Sequence, residues 1–487
     1  MIDSEKWDFF VGDLFHQMNV GGEKVETDRI HAIAKNIVNT TFDKLPSNVV
    51  EVTKKLLLDT LAVSLSGSAE AGVRELVEIF MDWGGKEEST LWGYGGKIPC
   101  VNAAQINATM VHASDYDDTH DPSPVHTGVV AVPTAFALAE RIGGIDGKKL
   151  ITALTLGVEV TIRLCKACKT PMPASGWHYT ALHGNFNAAA VAGKLLGFDE
   201  ETLVNTFGLA YHQAGGNLQC IPDGALAKRM GPGFAARNGI VAALMAQKGI
   251  TGAKSTLEGS HGLFTVYHRG EYDPEALTEN LGERYHVMDL SFKPYPCCRL
   301  THPSIDATLA LVKDYKLKAE DIKLVTIGVG KYAMEDLCEP LNIKRNPRTI
   351  VDAQFSIPWV VAVAIAQGKV GLGAFTGEAI KDRGILLLSN RVVPKIDESL
   401  GEKGLTPVVV QIETRDGHVY SKRIDNPYGS PQNPMNTETV LEKFRDCATH
   451  AFRPITEDRM EKLFQLISRL ESVTEVKQVA GLMEWSK

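Results

Sequence analysis

Three Ala-rich segments that are apolar on nearly every side set the strongest limit on how this chain can fold. Residues 151–168, 188–196 and 234–248 have the apolar spacing of helices, and the last two end at Gly197 and Gly249. A helix that is apolar all round must be buried, because a surface helix keeps one polar face. The segments therefore predict a bundle with buried helices at its centre.

A strand pattern replaces the helical one near residue 320. Residues 322–330 alternate between apolar and polar side chains, and residues 408–423 are typical of a hairpin that turns at Asp416–Gly417. Helical patterns at 304–315 and 355–367 lie between these strands. This part of the chain is therefore predicted to mix helices with a small sheet.

The chain has 487 residues, which is too many for one simple core. We predict a mainly α fold. Residues 1–288 and 436–487 form a large all-helical domain, and residues 289–435 form a smaller α+β lid domain. The tail has helical patterns at 437–448 and 456–470, which can pack back on the first domain.

Composition limits the partners that the protein can have. The net charge of −8 argues against nucleic acid, which requires a basic face, but it permits a small anion in a local basic pocket. No apolar run is long enough to span a membrane, and the N-terminus lacks the apolar core of a signal peptide. We therefore expect a cytoplasmic protein with reduced thiols. The pair Cys165 and Cys168 has no second CxxC, so no zinc site is expected.

The segment 112–126 is unusually rich in ionisable side chains, with four Asp and three His. Residues 101–119 can form one helix, which would place His112, Asp115 and Thr119 on one face. Two prolines follow, so His126 lies on a loop that can fold back towards Asp115. A carboxylate beside an imidazole is a common arrangement for a general acid or base.

The segment has three other interpretations. It could be only the solvated polar end of a helix, an interpretation that best suits Asp117, Asp118, His120 and Asp121. The DxDxT pattern of Asp115–Thr119 occurs in haloacid-dehalogenase-type phosphotransferases, but there it follows a strand and not an Ala-rich helix. A divalent metal site is also conceivable from the carboxylates, but neither HExxH nor EF-hand spacing is present.

Three more Gly- or Pro-rich breaks place basic side chains near helix starts. His178 follows such a break, where it could equally be a buried structural histidine. Lys228 and Arg229 precede a Gly-Pro-Gly turn and a helix predicted from Phe234; they could form an anion receptor or an exposed basic loop. Lys293 precedes a further helix near the domain boundary, and clefts between domains favour ligand binding. No P-loop or dinucleotide fingerprint is present, so no nucleotide cofactor is expected.

These motifs together resemble the MmgE/PrpD family over residues 28–470. The resemblance is carried by Asp115-Tyr-Asp-Asp-Thr119 with His126, Gly176-Trp-His178, Lys228-Arg229-Met-Gly-Pro-Gly, Lys293-Pro-Tyr-Pro-Cys-Cys and Asp352-Ala-Gln-Phe-Ser-Ile-Pro358. The family includes 2-methylcitrate dehydratase, cis-aconitate decarboxylase and an iminodisuccinate epimerase. The resemblance implies a metal-free homodimer whose active site lies between a helical domain and a lid. Two departures concern the substrate: Gly231 stands where many members have His, and the loop 120–125 differs from the commoner sequence.

We therefore expect a cofactor-free lyase for a small di- or tricarboxylic acid, with dehydration favoured over decarboxylation. His126, oriented by Asp115, would move the proton, and His178 would be the second proton carrier. The lysines would hold carboxylates and stabilise developing negative charge. The predicted catalytic residues are Asp115, His126, His178, Lys228 and Lys293, and the predicted substrate-binding residues are Thr119, Arg229, Tyr295 and Arg299.

Two alternatives stay open at this point. An epimerase or isomerase would need the same base, acid and carboxylate clamp. A carboxylate-binding protein without catalytic activity would need only the clamp.

Overall fold

The structure is a computed structural model that describes residues 27–401 and 405–485. The interpretation of the N-terminus as free of a signal peptide lies outside these residues. Within them, no helix combines the length and the apolar character needed to cross a membrane.

The described residues form a mainly α fold, as predicted. The helices are α1 Ile30–Asn39, α2 Ser47–Gly67, α3 Val73–Trp83, α4 Cys100–Ala113, α5 Gly128–Ile142, α6 Gly147–Ala167, α7 Met172–Ser175, α8 Tyr179–Leu182, α9 Gly184–Leu196, α10 Glu200–Tyr211, α11 Ala227–Gln247, α12 Leu263–His268, α13 His302–Tyr315, α14 Lys331–Leu337, α15 Leu341–Arg345, α16 Ile350–Gln354, α17 Ile357–Gln367, α18 Arg383–Ser389, α19 Thr437–Thr449, α20 Glu457–Ser468 and α21 Lys477–Met483. The strands are β1 Ser89–Thr90, β2 Lys97–Ile98, β3 Ile322–Val329, β4 Val392–Ile396, β5 Val408–Thr414 and β6 Val419–Ile424.

The three apolar segments are the helices α6, α9 and α11. The prediction of buried helices is confirmed for α6 and α9, whereas α11 keeps an exposed face on which Phe234 is 50% and Met245 is 38% exposed. Most side chains of α6 and α9 are fully buried. Small residues allow close approach: a Cβ on Gly239 of α11 would lie 2.3 Å from the Cβ of Ala188 of α9. Dense packing of this kind holds the ends of these helices in place, and it thereby fixes the side chains located at those ends.

The start of α11 differs from the prediction. The helix begins at Ala227, so Lys228 lies in its first turn and Pro232 lies inside the helix rather than in a preceding turn. Gly233 does not make a turn; it lets α11 lie against α4, because a Cβ there would come within 2.6 Å of the Gln105 carbonyl oxygen. The Gly-Pro-Gly sequence serves close helix packing, which local turn statistics do not reveal.

The second part of the chain contains the predicted strands. A four-stranded sheet has the order β4-β3-β5-β6, in which β3 pairs parallel with β4 and antiparallel with β5. The predicted hairpin is β5 and β6, and Gly417 at its turn has φ +93°, a conformation that suits glycine. The apolar face of the sheet shares a core with α13 and α17.

The tail helices return to the first helical region. Lys443 of α19 donates a buried hydrogen bond to Asp59 of α2, with Nζ and Oδ1 2.6 Å apart, and a second to the carbonyl oxygen of Tyr116. Apolar side chains of α19, α20 and α21 join the same core as α2 and α5. The exact domain boundaries, at 288/289 and 435/436, stay a prediction.

Candidate active site

The segment after α4 is a buried turn and not a continuation of the helix. The predicted helix 101–119 is wrong in its last part, because α4 ends at Ala113 and Asp115 has φ +53°. This left-handed conformation is uncommon for a residue other than glycine, although Asp tolerates it better than most, and it is often found at functional sites. The interpretation of Asp117 and Asp118 as a solvated helix end is also wrong, since both are buried.

Asp115 joins two lysines that are far apart in the sequence. Its Oδ1 lies 2.6 Å from Nζ of Lys228, and its Oδ2 lies 3.4 Å from Nζ of Lys293. Lys293 also donates to the carbonyl oxygen of Asp115 at 2.9 Å. Burial opposes the charge on Asp115, but the two ammonium groups outweigh burial and hold the pKa of Asp115 well below its usual value.

The two lysines differ in how far they reach the open space. The side chain of Lys228 is 18% exposed, whereas that of Lys293 is 1% exposed. Burial disfavours the Lys293 ammonium, yet the carboxylates of Asp115 and Asp117 raise the pKa of Lys293 above its usual value. Of the two lysines, Lys228 is therefore the one that a ligand can contact. Lys293 is inaccessible and binds Asp115 on the side away from the open space.

Asp117, and not Asp115, is the carboxylate that faces the histidines. Its Oδ2 lies 2.8 Å from Nδ1 of His112 and 3.4 Å from Nδ1 of His126. Burial raises the pKa of Asp117, but His126, the hydrogen bond from His112 and the Lys293 ammonium together lower it by more, so Asp117 is ionised. The expectation that Asp115 orients His126 is thus replaced by a pairing with Asp117.

Hydrogen bonds define the protonation of the two rings. Nδ1 of His126 lies 2.6 Å from the carbonyl oxygen of Asp118, which can only accept, so Nδ1 carries the proton. Nδ1 of His112 likewise donates to ionised Asp117. In the neutral rings the lone pair therefore lies on Nε2, and Nε2 of His112 is buried without a hydrogen-bond partner. Burial lowers the pKa of His126 to about 3, which leaves it neutral near pH 7.

His178 completes a group of three imidazoles. It immediately precedes α8, and its ring stacks on His112 with the ring centres 5.8 Å apart. The rings of His112 and His126 are 4.9 Å apart. Burial, together with the neighbouring His112 and Lys228, holds the pKa of His178 well below its usual value. Three neutral imidazoles and an Asp–Lys cluster thus share one buried region.

A small cavity of about 30 Å³ opens onto this region from between the two parts of the molecule. Its walls come from α4 and α11 on one side and from α16 on the other, and they include His112, Asp115, Lys228, Gln354 and Phe355. A water molecule takes about 30 Å³ in the liquid. The cavity is therefore about the size of one water molecule, and a larger ligand requires α16 or Phe355 to move.

Both halves of the chain match one protein family. Residues 31–275 match the MmgE/PrpD N-terminal domain, and residues 295–469 match the MmgE/PrpD C-terminal domain. The chain belongs to the MmgE/PrpD family. This confirms the resemblance that the motifs indicate.

Members of the MmgE/PrpD family with curated names cover nearly the whole chain. It is 29% identical over 465 residues to a cis-aconitate decarboxylase of Aspergillus terreus, with 91% of this chain and 94% of the relative covered. A cis-aconitate decarboxylase-like protein, oryM, of Aspergillus oryzae is 26% identical, with coverages of 90% and 94%. The human cis-aconitate decarboxylase is 25% identical, with coverages of 90% and 91%.

Within this MmgE/PrpD chain, the predicted substrate-binding side chains do not all point into the cavity. Arg229 is beside the cavity, but its guanidinium donates to the carbonyl oxygen of Ala71 at 2.8 Å and faces Glu70. The hydroxyl of Tyr295 donates to Asp306 at 2.7 Å. The substrate-binding roles of Arg229 and Tyr295 stay predictions.

Thr119 and Arg299 hold the two parts of the molecule together. The main chains of Thr119 and Ser291 exchange two hydrogen bonds, of 2.9 and 2.7 Å, which fix the loop beside Lys293. Arg299 pairs with Asp121 at 3.1 Å and donates to the carbonyl oxygen of Tyr428 at 2.8 Å. Their substrate-binding roles also stay predictions.

Two residues of this region were missed as site residues by sequence reasoning. His112 lies at the end of the buried helix α4, three positions before Asp115, and that spacing was the available signal. Asp117 carried no local signal, because its contacts with His112 and His126 arise from the turn that follows α4. His112, Asp117 and His126 also present possible metal ligands within 4.8 Å of one another. Two neighbouring ammonium groups disfavour a cation there, and the predicted absence of a metal remains untested.

Proposed function

We propose that this protein is a cofactor-free lyase that decarboxylates a small unsaturated tricarboxylic acid of the cis-aconitate type. The observation that carries the proposal is the arrangement of His112 and His126 on Asp117, next to the Lys228–Asp115–Lys293 cluster. The named relatives move our preference from dehydration to decarboxylation, because they share this chain almost from end to end.

Lys228 would hold a substrate carboxylate. Its ammonium already contacts the carboxylate of Asp115, which supports the idea that this position suits an anion. A charge-assisted hydrogen bond from a partly buried lysine is stronger than one between neutral groups. Lys293 would act as a positioning residue, since its side chain is nearly inaccessible and its contacts are with Asp115.

The histidines would supply the proton. When the C–C bond to the departing carboxylate breaks, CO2 leaves and the bonding electron pair stays on the carbon skeleton. That pair, delocalised into the neighbouring C=C bond and carboxylate, takes up one proton at carbon. His126 would be the donor, since Nδ1 is fixed on the carbonyl oxygen of Asp118 and Nε2 is left for the substrate.

Charge balance explains how a neutral histidine can become that donor. Asp115 and Asp117 cancel the two lysines, so the free site carries no surplus positive charge while the imidazoles are neutral. A bound polyanion favours imidazolium, because an opposite charge nearby raises the pKa of a histidine. Substrate binding would therefore be accompanied by proton uptake, and it would charge His126 at the moment when an acid is needed.

The test is a substrate assay that follows CO2 release and ultraviolet absorbance of C=C bonds in parallel. We expect CO2 from cis-aconitate, with one solvent deuteron in each product molecule when the reaction runs in D2O. A new C=C bond from 2-methylcitrate or citrate without CO2 would instead show a dehydratase. Deuterium exchange into an otherwise unchanged acid would show an epimerase, and binding without turnover of any acid would show a carboxylate-binding protein.

Homodimer assembly and a cytoplasmic location are further parts of this proposal. The dimer is what the family resemblance implies, and the location is the expectation drawn from the composition. Light scattering of the purified protein tests the first, and a mass equal to one chain would contradict it. Imaging of a tagged protein in its own cells tests the second.

A further inference from the structure

A second cluster of imidazoles lies outside the candidate active site and contains no carboxylate. Cys165 and Cys168 lie at the end of α6, His183 lies between α8 and α9, and His268 is the last residue of α12. The two cysteines are free thiols. The lone CxxC pair was the reason to expect no zinc, but the fold brings two distant histidines to it.

The atoms of this cluster have the spacing of ligands that share one metal ion. Sγ of Cys168 lies 3.5 Å from Nε2 of His268, and one ligand atom each of Cys168, His183 and His268 lies within 4.8 Å of the others. In a tetrahedral zinc site the bonds of about 2.3 Å to sulfur and 2.0 Å to nitrogen put these atoms about 3.5 Å apart.

Hydrogen bonding leaves part of the cluster without partners. Cys165 Sγ lies 3.1 Å from Nδ1 of His183, while Nε2 of His183 is buried with no hydrogen-bond partner. Nδ1 of His268 is likewise buried without a hydrogen-bond partner. Thiol–imidazole hydrogen bonds alone therefore leave one nitrogen unpaired on each of two buried rings, which costs stability. A metal ion on Nε2 of His183 would satisfy that atom, with Cys165 holding the ring from its other side.

An ion can reach the cluster. A cavity of about 550 Å³ is lined by Cys165, Cys168 and Tyr179, together with Pro122 and Tyr332. The ring of Tyr179 stacks on His183 with centres 4.9 Å apart, which limits the rotation of the imidazole. The site is thus held by its surroundings and open on one side.

We propose that Cys168, His183 and His268 bind one transition-metal ion of the zinc class, with Cys165 supporting His183. One sulfur and two imidazole nitrogens suit zinc, which prefers N and S ligands. Coordination replaces the thiol proton of Cys168, so each bound ion releases one proton and no redox change occurs. The ion would tie the end of α6 to α12 and to the short helix that follows His178.

Metal binding can be measured on the full chain without reference to activity. Protein stripped with a chelator is titrated with Zn2+, and bound zinc is counted by mass spectrometry of the metal. We expect one zinc for each chain, and with Co2+ in its place a thiolate-to-cobalt absorption band. Cys168→Ser should abolish that band, and Cys165→Ser should weaken zinc binding roughly 10-fold, as loss of a supporting partner does.

Two controls separate this site from the rest of the protein. Cys338→Ser removes another buried thiol, which lies in the second core, and it should leave zinc binding unchanged. Asp117→Asn alters the other group of possible ligands. Zinc that survives Cys168→Ser but is lost in Asp117→Asn would overturn the proposal.

Wild-type protein provides a measurement that does not depend on a variant folding. Zinc should protect Cys168 from alkylation, as read by peptide mass spectrometry. Cys220, a partly exposed free thiol beside the cavity of the candidate active site, should stay reactive. Equal alkylation of Cys168 with and without zinc, or no stoichiometric zinc on wild-type protein, would also overturn the proposal.

Discussion

The helical region contains two clusters of histidines that differ in their neighbours. In the first, His112, His126 and His178 lie beside two carboxylates and two lysines. In the second, His183 and His268 lie beside two thiols, and within the described part of the chain no ion pair to either ring is found. In our proposals the same side chain would therefore transfer protons in the first cluster and bind a metal ion in the second, because the neighbouring side chains differ.

The two clusters are joined by one short helix. His178 precedes α8 and His183 follows it, so five positions separate a member of each cluster. Burial lowers the pKa of both histidines well below the usual value, yet only His178 has charged groups near it. Burial alone therefore does not identify a catalytic histidine, and the adjacent lysine and carboxylates carry that distinction.

The largest effect is expected from His126→Ala in the first cluster. Loss of a positioned acid or base should lower kcat by at least ~100-fold. Steady-state CO2 release measures it, with thermal unfolding to verify the fold. His120→Gln is the matched control, because His120 lies in the same buried loop and its ring lies outside both clusters. Near-normal turnover by His126→Ala would remove the proton-transfer role.

Lys228→Met should act on binding more than on chemistry. A hydrogen bond to a charged group contributes about 1.5–3 kcal/mol, so KM should rise by about 10- to 150-fold. Arg229→Gln, one position further along α11, should change KM much less, because its guanidinium is bound to Ala71 and Glu70. A larger effect from Arg229→Gln would reverse the assignment and restore the role that the sequence indicated.

Asp117→Asn tests whether this carboxylate positions the imidazoles. We expect kcat to fall roughly 10-fold, a part of what a positioned acid or base contributes, with KM little changed. The carboxylate raises the pKa of both His112 and His126. Its loss should therefore lower those pKa values and move the alkaline limb of the kcat–pH profile, where the donor histidine loses its proton, to lower pH. Asp121→Asn, which loses an ion pair to Arg299, should leave that limb in place; an equal shift would indicate a general electrostatic effect.

The smallest effect on turnover is expected from His268→Gln in the second cluster. With zinc absent, kcat should stay within about 3-fold of wild type, because the contacts of the His268 ring are with the second cluster. A loss of kcat of about 100-fold is expected only for a residue that itself donates or accepts the proton. Thermal unfolding with and without Zn2+ should show stabilisation of wild type only. A drop of kcat as large as that of His126→Ala in folded protein would mean that the clusters are not independent.

Long buried elements could be predicted from the sequence with good accuracy. The pattern at 151–168 is α6 Gly147–Ala167, and the alternation at 322–330 is β3 Ile322–Val329. These elements could be predicted because the spacing of apolar residues along the chain indicates a helix or a strand, and that spacing is a local property of the sequence. The end of α4 could not be predicted, because Asp115 adopts a left-handed conformation that its contacts with Lys228 and Lys293 support.

The sequence by itself determined that buried helices and a small sheet would form, and its motifs marked Asp115, His126, Lys228 and Lys293 for one site. Only the tertiary structure decided which carboxylate meets which imidazole. A tight turn after α4, in which Asp115 has φ +53°, sets these pairings. The same holds for the second cluster, where His268 lies 100 positions from Cys168 and meets it only because the helices pack. The sequence gives the type of each side chain. The neighbouring groups that set the protonation and reactivity of that side chain depend on how distant segments pack.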